Sequence, residues 1–94
     1  MLFRRTPRGE IVLRILDARS RRPISRCEVY LRSKDGGRNG GTRLAPGGEV
    51  RLKAPPGEVT IEVRAEGYRP AERPIAVEDR GQASAEITLE SEAR

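Results

Sequence analysis

The chain has 94 residues, of which 35% are hydrophobic and 35% charged, with a formal net charge of +5, one cysteine and no histidine. That describes one domain with a single modest core, and it excludes an intramolecular disulfide framework and any site built on histidine. The only aromatics are Phe3, Tyr30 and Tyr68, so the core must be Val, Ile and Leu with Ala as filler, a composition that suits pleated sheet.

Met1 to Arg8 is a basic arm with Pro7 near its end, expected to stay loose unless a partner holds it. The first strand is predicted over Glu10 to Leu16. Ile11, Leu13 and Ile15 share one face, and Val12, Arg14 and Leu16 the other. Asp17 to Pro23 is a turn that the Asp17 side chain can cap, and Pro23 resists further pairing. Ile24 is expected to plug the end of the core. Cys27 to Arg32 is the second strand, with Cys27, Val29 and Leu31 inward. Cys27 therefore reads as a buried small hydrophobe, not a reactive thiol.

Ser33 to Gly41 reads as a glycine-rich loop. A phosphate-cradling loop needs a lysine after its glycines and a helix to open, and neither is foreseeable here. Thr42 to Leu44 is a short strand, Pro46-Gly47-Gly48 a turn, and Glu49 to Lys53 a strand with Val50 and Leu52 inward. Pro55-Pro56-Gly57 then turns the chain into the clearest period-two run of the sequence, Val59 to Ala65. Gly67-Tyr68 closes that strand. A loop holding Pro70 and Pro74 leads to Ile75-Ala76-Val77, and Asp79-Arg80-Gly81 is a hairpin-type turn. The last strand is Ala83 to Glu90, with Ala85, Ile87 and Leu89 inward, followed by a frayed end.

No window carries the i, i+3, i+4 apolar spacing of a helix. The pattern is that of an all-β fold, a small seven-stranded antiparallel Greek-key β-sandwich, immunoglobulin-like or transthyretin-like. Residues 1–9 form the arm, 10–90 the sandwich and 91–94 a tail.

A strand ending in Ile15-Leu16-Asp17, a polar turn with Pro23 and a second apolar strand open a recognisable series. Gly47-Gly48, the strand from Val50 to Leu52, Pro55-Pro56-Gly57, alternating Val/Ile, Gly67-Tyr68 and a closing strand ending near Leu89 continue it. Over residues 10–90 this resembles the carboxypeptidase regulatory-like domain, one of the transthyretin-like or prealbumin-like sandwiches. The chain departs from that pattern at Pro46-Gly47-Gly48, which lacks the aspartate that often precedes the glycine. The residues expected to determine the fold are Pro56, which stiffens its turn, Gly57 and Gly67, which supply unusual backbone angles, and Tyr68. The Tyr68 ring is expected to fold over the end of the core with its hydroxyl on a backbone partner, as in a tyrosine corner.

The resemblance brings enzymes into view, since related sandwiches include a hydrolase and iron dioxygenases, but those rely on histidines. Here Asp17, Asp35 and Asp79 sit in separate turns, no calcium-loop run exists, and no Ser or Thr has a base partner. No enzyme activity, metal or cofactor is expected. The first functional expectation is a structural or interaction module, with a protein partner or a second copy at loops or sheet edges, as a component or decoration of a larger complex.

The alternatives are carbohydrate binding and polyanion or nucleic-acid binding. Residues 1–47 hold twelve Lys/Arg against four Asp/Glu, a net of +8, and residues 48–94 seven against ten, a net of −3. The candidate contacts are Arg4, Arg5, Arg8, Arg19, Arg21, Arg22 and Arg26, acting as fork donors on phosphates. They matter as a patch only if the arm and the Asp17-to-Pro23 turn converge. No apolar run reaches the length of a signal peptide or a membrane span. The expected setting is therefore the cytoplasm or an assembly such as a virion or secretion apparatus.

Overall fold

A computed structural model describes residues 9–34, 36–78 and 81–92. Among them the strands are β1 (Gly9–Asp17), β2 (Arg26–Ser33), β3 (Arg38–Leu44), β4 (Glu49–Ala54), β5 (Gly57–Arg64), β6 (Ala71–Val77) and β7 (Gln82–Leu89). A single 3-10 turn, Pro46–Gly48, lies between β3 and β4. They form two sheets, ordered β4-β1-β7 and β3-β2-β5-β6. Only β2–β3 and β5–β6 are consecutive strands that pair. Every other connection crosses from one sheet to the other, and this interleaving makes the sandwich.

Alternation decides which side chains meet between the sheets. Ile11, Leu13 and Ile15 of β1 face Val29 of β2 and Ile61 and Val63 of β5, and Leu89 of β7 completes the set of fully buried large side chains. Ile24 seals one end, as expected, and Cys27 is buried beside it. Each such aliphatic side chain contributes about 1.5–3 kcal/mol on full burial.

Four local expectations are corrected. Pairing is antiparallel in four ladders, but β1 and β7 run parallel, from Glu10 opposite Gln82 to Asp17 opposite Leu89. These two strands are joined through the whole intervening chain, so no hairpin fixes their relative direction. The glycine-rich segment is a loop only as far as Gly37, because Arg38 to Gly41 already pair with β2. The loop expected at Pro74 is the middle of β6, an edge strand where a residue without an N–H is tolerated. The expected turn at Asp79-Arg80-Gly81 is not a hairpin: Asp79 and Arg80 lie outside the described residues, but β6 and β7 on either side belong to different sheets.

Candidate interaction surfaces

At one end of the sandwich, Asp17 organises the turn that follows β1. Its Oδ1 accepts from the N–H groups of Arg19 and Ser20, each at 2.8 Å, and its Oδ2 accepts from the Tyr68 hydroxyl at 2.7 Å. The Ser20 N–H, the Tyr68 hydroxyl and the Arg19 N–H, in that order, hold the Asp17 carboxyl down to about 2. The same bond raises the Tyr68 phenol above its ordinary value. The tyrosine thus folds over the core end, half-buried, but its partner is a carboxylate and not the expected backbone group. Gly67 turns the chain there at φ +84°, and its carbonyl accepts from the N–H of Glu92. Residues expected to belong to a frayed tail, Ser91 and Glu92, are therefore tied to the Gly67-Tyr68 corner.

A second polar cluster lies on the outer face of the four-stranded sheet. Glu62 points outward from β5 yet is only 7% exposed. Arg64 reaches it at 2.7 Å, and Arg38 crosses the Tyr30 ring, 4.0 Å from its centroid, to reach it at 3.2 Å. The Arg64 hydrogen bond is the main cause of a lowered Glu62 carboxyl, with Arg38 adding to it. Tyr30, bonded to Glu28, is pushed up by that bond. Each of these side chains is satisfied by a neighbour on the same face, which is a structural arrangement. Burial likewise pushes the Cys27 thiol up and away from the thiolate form. Among the described residues no group of three or more His, Cys, Asp and Glu could hold a metal ion, and no helix is long and apolar enough to cross a membrane.

The arginines expected to form a patch divide. Arg4, Arg5 and Arg8 lie outside the described residues. Arg19, Arg21 and Arg22 sit on the Asp17 turn, at the end of β1 away from Gly9. Arg21 is paired with Glu86 at 2.6 Å, whereas Arg19 and Arg22 are exposed without a carboxylate partner among the described residues. Arg26, at the start of β2, lines a groove of about 460 Å³ with Glu28, Arg64, Glu66 and Tyr68, in which both signs of charge are present.

The sheet edges differ more sharply from one another. One flank of the sandwich is shut: β6 and β7 approach each other, and Arg73 of β6 donates to the Glu86 carbonyl of β7 at 2.7 Å. Pro74 also interrupts the β6 edge. The other flank, between β3 and β4, is open. It holds a cleft of about 310 Å³ whose floor is Val29, Leu31 and Leu52 and whose walls include Asn39, Gly40, Arg43, Lys53 and Pro55. β3 has no residue classed as buried, and Leu44 at its end is 77% exposed.

This cleft was not foreseen. The signal for it is the glycine pair on β3, Gly40 in the cleft wall and Gly41 opposite Val29, whose significance shows only once β3 is known to pair with β2.

The family model of the carboxypeptidase regulatory-like domain matches residues 10–90. This chain belongs to the carboxypeptidase regulatory-like family. No curated protein matches it at significance. As a carboxypeptidase regulatory-like domain it shares its fold with solved structures of low sequence identity. The minor pilin GBS52 of the gram-positive pathogen Streptococcus agalactiae superposes with a TM-score of 0.73 at 15% identity, over 94% of this chain and 46% of the pilin. The Bacillus anthracis TIE protein does so with a TM-score of 0.69 at 16% identity, over 90% of this chain and 18% of that one. The domain thus spans less than half the length of either neighbour.

Proposed function

We propose that this carboxypeptidase regulatory-like domain is a non-catalytic interaction module that holds a protein partner at a sheet edge within a larger assembly. The observation that carries the reading is the contrast between its polar groups and its edges. Asp17, Tyr68, Glu62 and Cys27 are each committed to the fold, while β3 is exposed along its length. An exposed edge strand offers a row of unpaired backbone donors and acceptors, and addition of a partner strand satisfies them. The neighbours named above, one of them a minor pilin, support the reading because in each the matched fold makes up only part of the chain. Light scattering on the purified domain, combined with co-purification from its native source, tests it. Association with a partner or a second copy is expected, and a monomer that associates with nothing contradicts the reading.

A second reading, contact with a polyanion through Arg19, Arg22 and Arg26, with Arg4, Arg5, Arg8 and Arg21 as further candidates, is supported by the exposure of Arg19 and Arg22 without acidic partners. Binding of a nucleic-acid duplex measured against salt concentration tests it. A phosphate-driven contact weakens steeply with salt, and no affinity at low salt removes this reading.

A further inference from the structure

The open flank has a gap at a position where a core side chain would normally sit. In an antiparallel ladder, directly opposed residues share a face. Val29 is buried and faces Gly41, Leu31 faces Asn39 and Cys27 faces Arg43. The inward face of β3 is therefore Asn39, Gly41 and Arg43, so β3 adds no apolar side chain above Val29, Leu31 and Leu52, which are themselves at most 9% exposed. A Cβ built at Gly41 meets nothing within 4 Å, so the position opposite Val29 opens onto free space. Arg43 and Lys53 stand on the two walls of the cleft, exposed, and neither has a carboxylate partner among the described residues. Arg38, by contrast, is laid across Tyr30 toward Glu62 and leaves the edge uncovered.

We propose that the cleft between β3 and β4 accepts one aliphatic side chain from an extended partner segment. That segment pairs along the free edge of β3 and sets carboxylates against Arg43 and Lys53. The proposal rests on the interaction-module reading and names the chemistry of its partner. Alternation supports the geometry: in a strand, residues two apart share a face, so an aliphatic residue with acidic residues two positions away presents all three groups to the cleft and its walls. The paired cations favour an acidic segment over a basic one. The cleft has room for one or two side chains, and at about 310 Å³ it lies at the lower limit of small-molecule sites.

The test uses the full chain, isotope-labelled for amide NMR, titrated with three capped peptides whose central residue is flanked two positions away on each side by a like-charged pair, with serine at the intervening positions: glutamate around valine, lysine around valine, and glutamate around serine. The glutamate–valine peptide is expected to shift amides of Arg38–Leu44 and Glu49–Ala54. It should bind about tenfold more tightly than the lysine–valine peptide, the difference expected from exchanging two exposed attractions for two repulsions. The glutamate–serine peptide should bind more weakly than the glutamate–valine one. Gly41→Val, which adds a side chain on the Val29 face between the wall residues Asn39 and Arg43, should abolish binding. Arg43→Glu combined with Lys53→Glu, both at exposed positions, should reverse the charge preference. No binding at millimolar peptide, shifts confined to the β6–β7 flank, or unchanged binding by Gly41→Val would each overturn the proposal. Self-association of the parent chain that Gly41→Val abolishes would make the occupant a second copy and overturn the assignment to a separate acidic segment. A native partner retained equally by parent and Gly41→Val leaves the module reading standing and removes the cleft, whereas no association of any kind removes both.

Discussion

Adjacent glycines in β3 should respond to substitution with opposite signs. At Gly41 an added Cβ meets nothing within 4 Å, on the face that Val29 shares. Replacing glycine in a strand interior recovers about 0.5–1 kcal/mol of backbone entropy. A valine there also buries part of its own side chain on the Val29 face, about half of the 1.5–3 kcal/mol for full burial, offset by the side-chain order it gives up. Gly41→Val should therefore stabilise by about 1 kcal/mol, which for a domain of this size raises Tm by roughly 4–8 °C. At Gly40 the backbone sits at φ +149°, and an added Cβ would lie 2.0 Å from the Val29 carbonyl oxygen and 2.7 Å from the Tyr30 Cα. Those are backbone atoms of the paired strand and cannot move aside without breaking the ladder. Gly40→Ala should cost about 2 kcal/mol or more. Urea unfolding followed by circular dichroism measures both. A destabilised Gly41→Val, or a neutral Gly40→Ala, would refute the argument that β3 is closed toward β2 and open toward β4.

Other substitutions probe the remaining supports. Ile61→Ala, at a fully buried position, should cost about 2–5 kcal/mol, a large share of the roughly 5–15 kcal/mol typical of a domain; its urea midpoint reads this directly. The Asp17 carboxyl titrates at about 2 in the folded chain against an ordinary 3.8. Its charged form thus supports the fold above about pH 4, and that support is lost as pH falls from 4 toward 2. Asp17→Asn should flatten this part of the stability profile, and an unchanged acid limb would contradict the role of the turn. Tyr68→Phe should move the Asp17 carboxyl back toward its ordinary value, as followed by NMR titration. Glu62→Gln leaves Arg38 and Arg64 facing a neutral amide and should lower the urea midpoint, whereas an unchanged midpoint would show that the cluster adds nothing to stability.

The sandwich was legible because its inward positions recur with period two. Val59, Ile61 and Val63 on β5, and Cys27, Val29 and Leu31 on β2, fall where alternation puts them. β3 was not legible in full, because Arg38-Asn39-Gly40-Gly41 has neither β-forming composition nor alternation. It is a strand because β2 offers it a ladder, an instance of tertiary pairing overriding local preference. Pro74 was misread for a related reason: whether proline can join a strand depends on that strand lying at an edge, which is a property of the sheet. The parallel β1–β7 ladder depends on how many times the chain changes sheets, which no local window contains. Alternation placed Glu62 on the outer face but could not show what covers it there, since Arg38 comes from two strands away. The cleft stayed hidden for the same reason as β3: a glycine signals a missing core side chain only when its partner across the ladder is known.

The central claim is that this domain takes a protein partner along the open β3 flank. Amide hydrogen exchange across Arg38–Leu44, compared between the isolated domain and the domain in its native assembly, tests it most directly. The outward edge amides of β3 should exchange quickly in the isolated domain and become protected on assembly, while β6 and β7 stay unchanged. Protection confined to the β6–β7 flank or to the Asp17 turn, with the β3 edge still open, would contradict the claim.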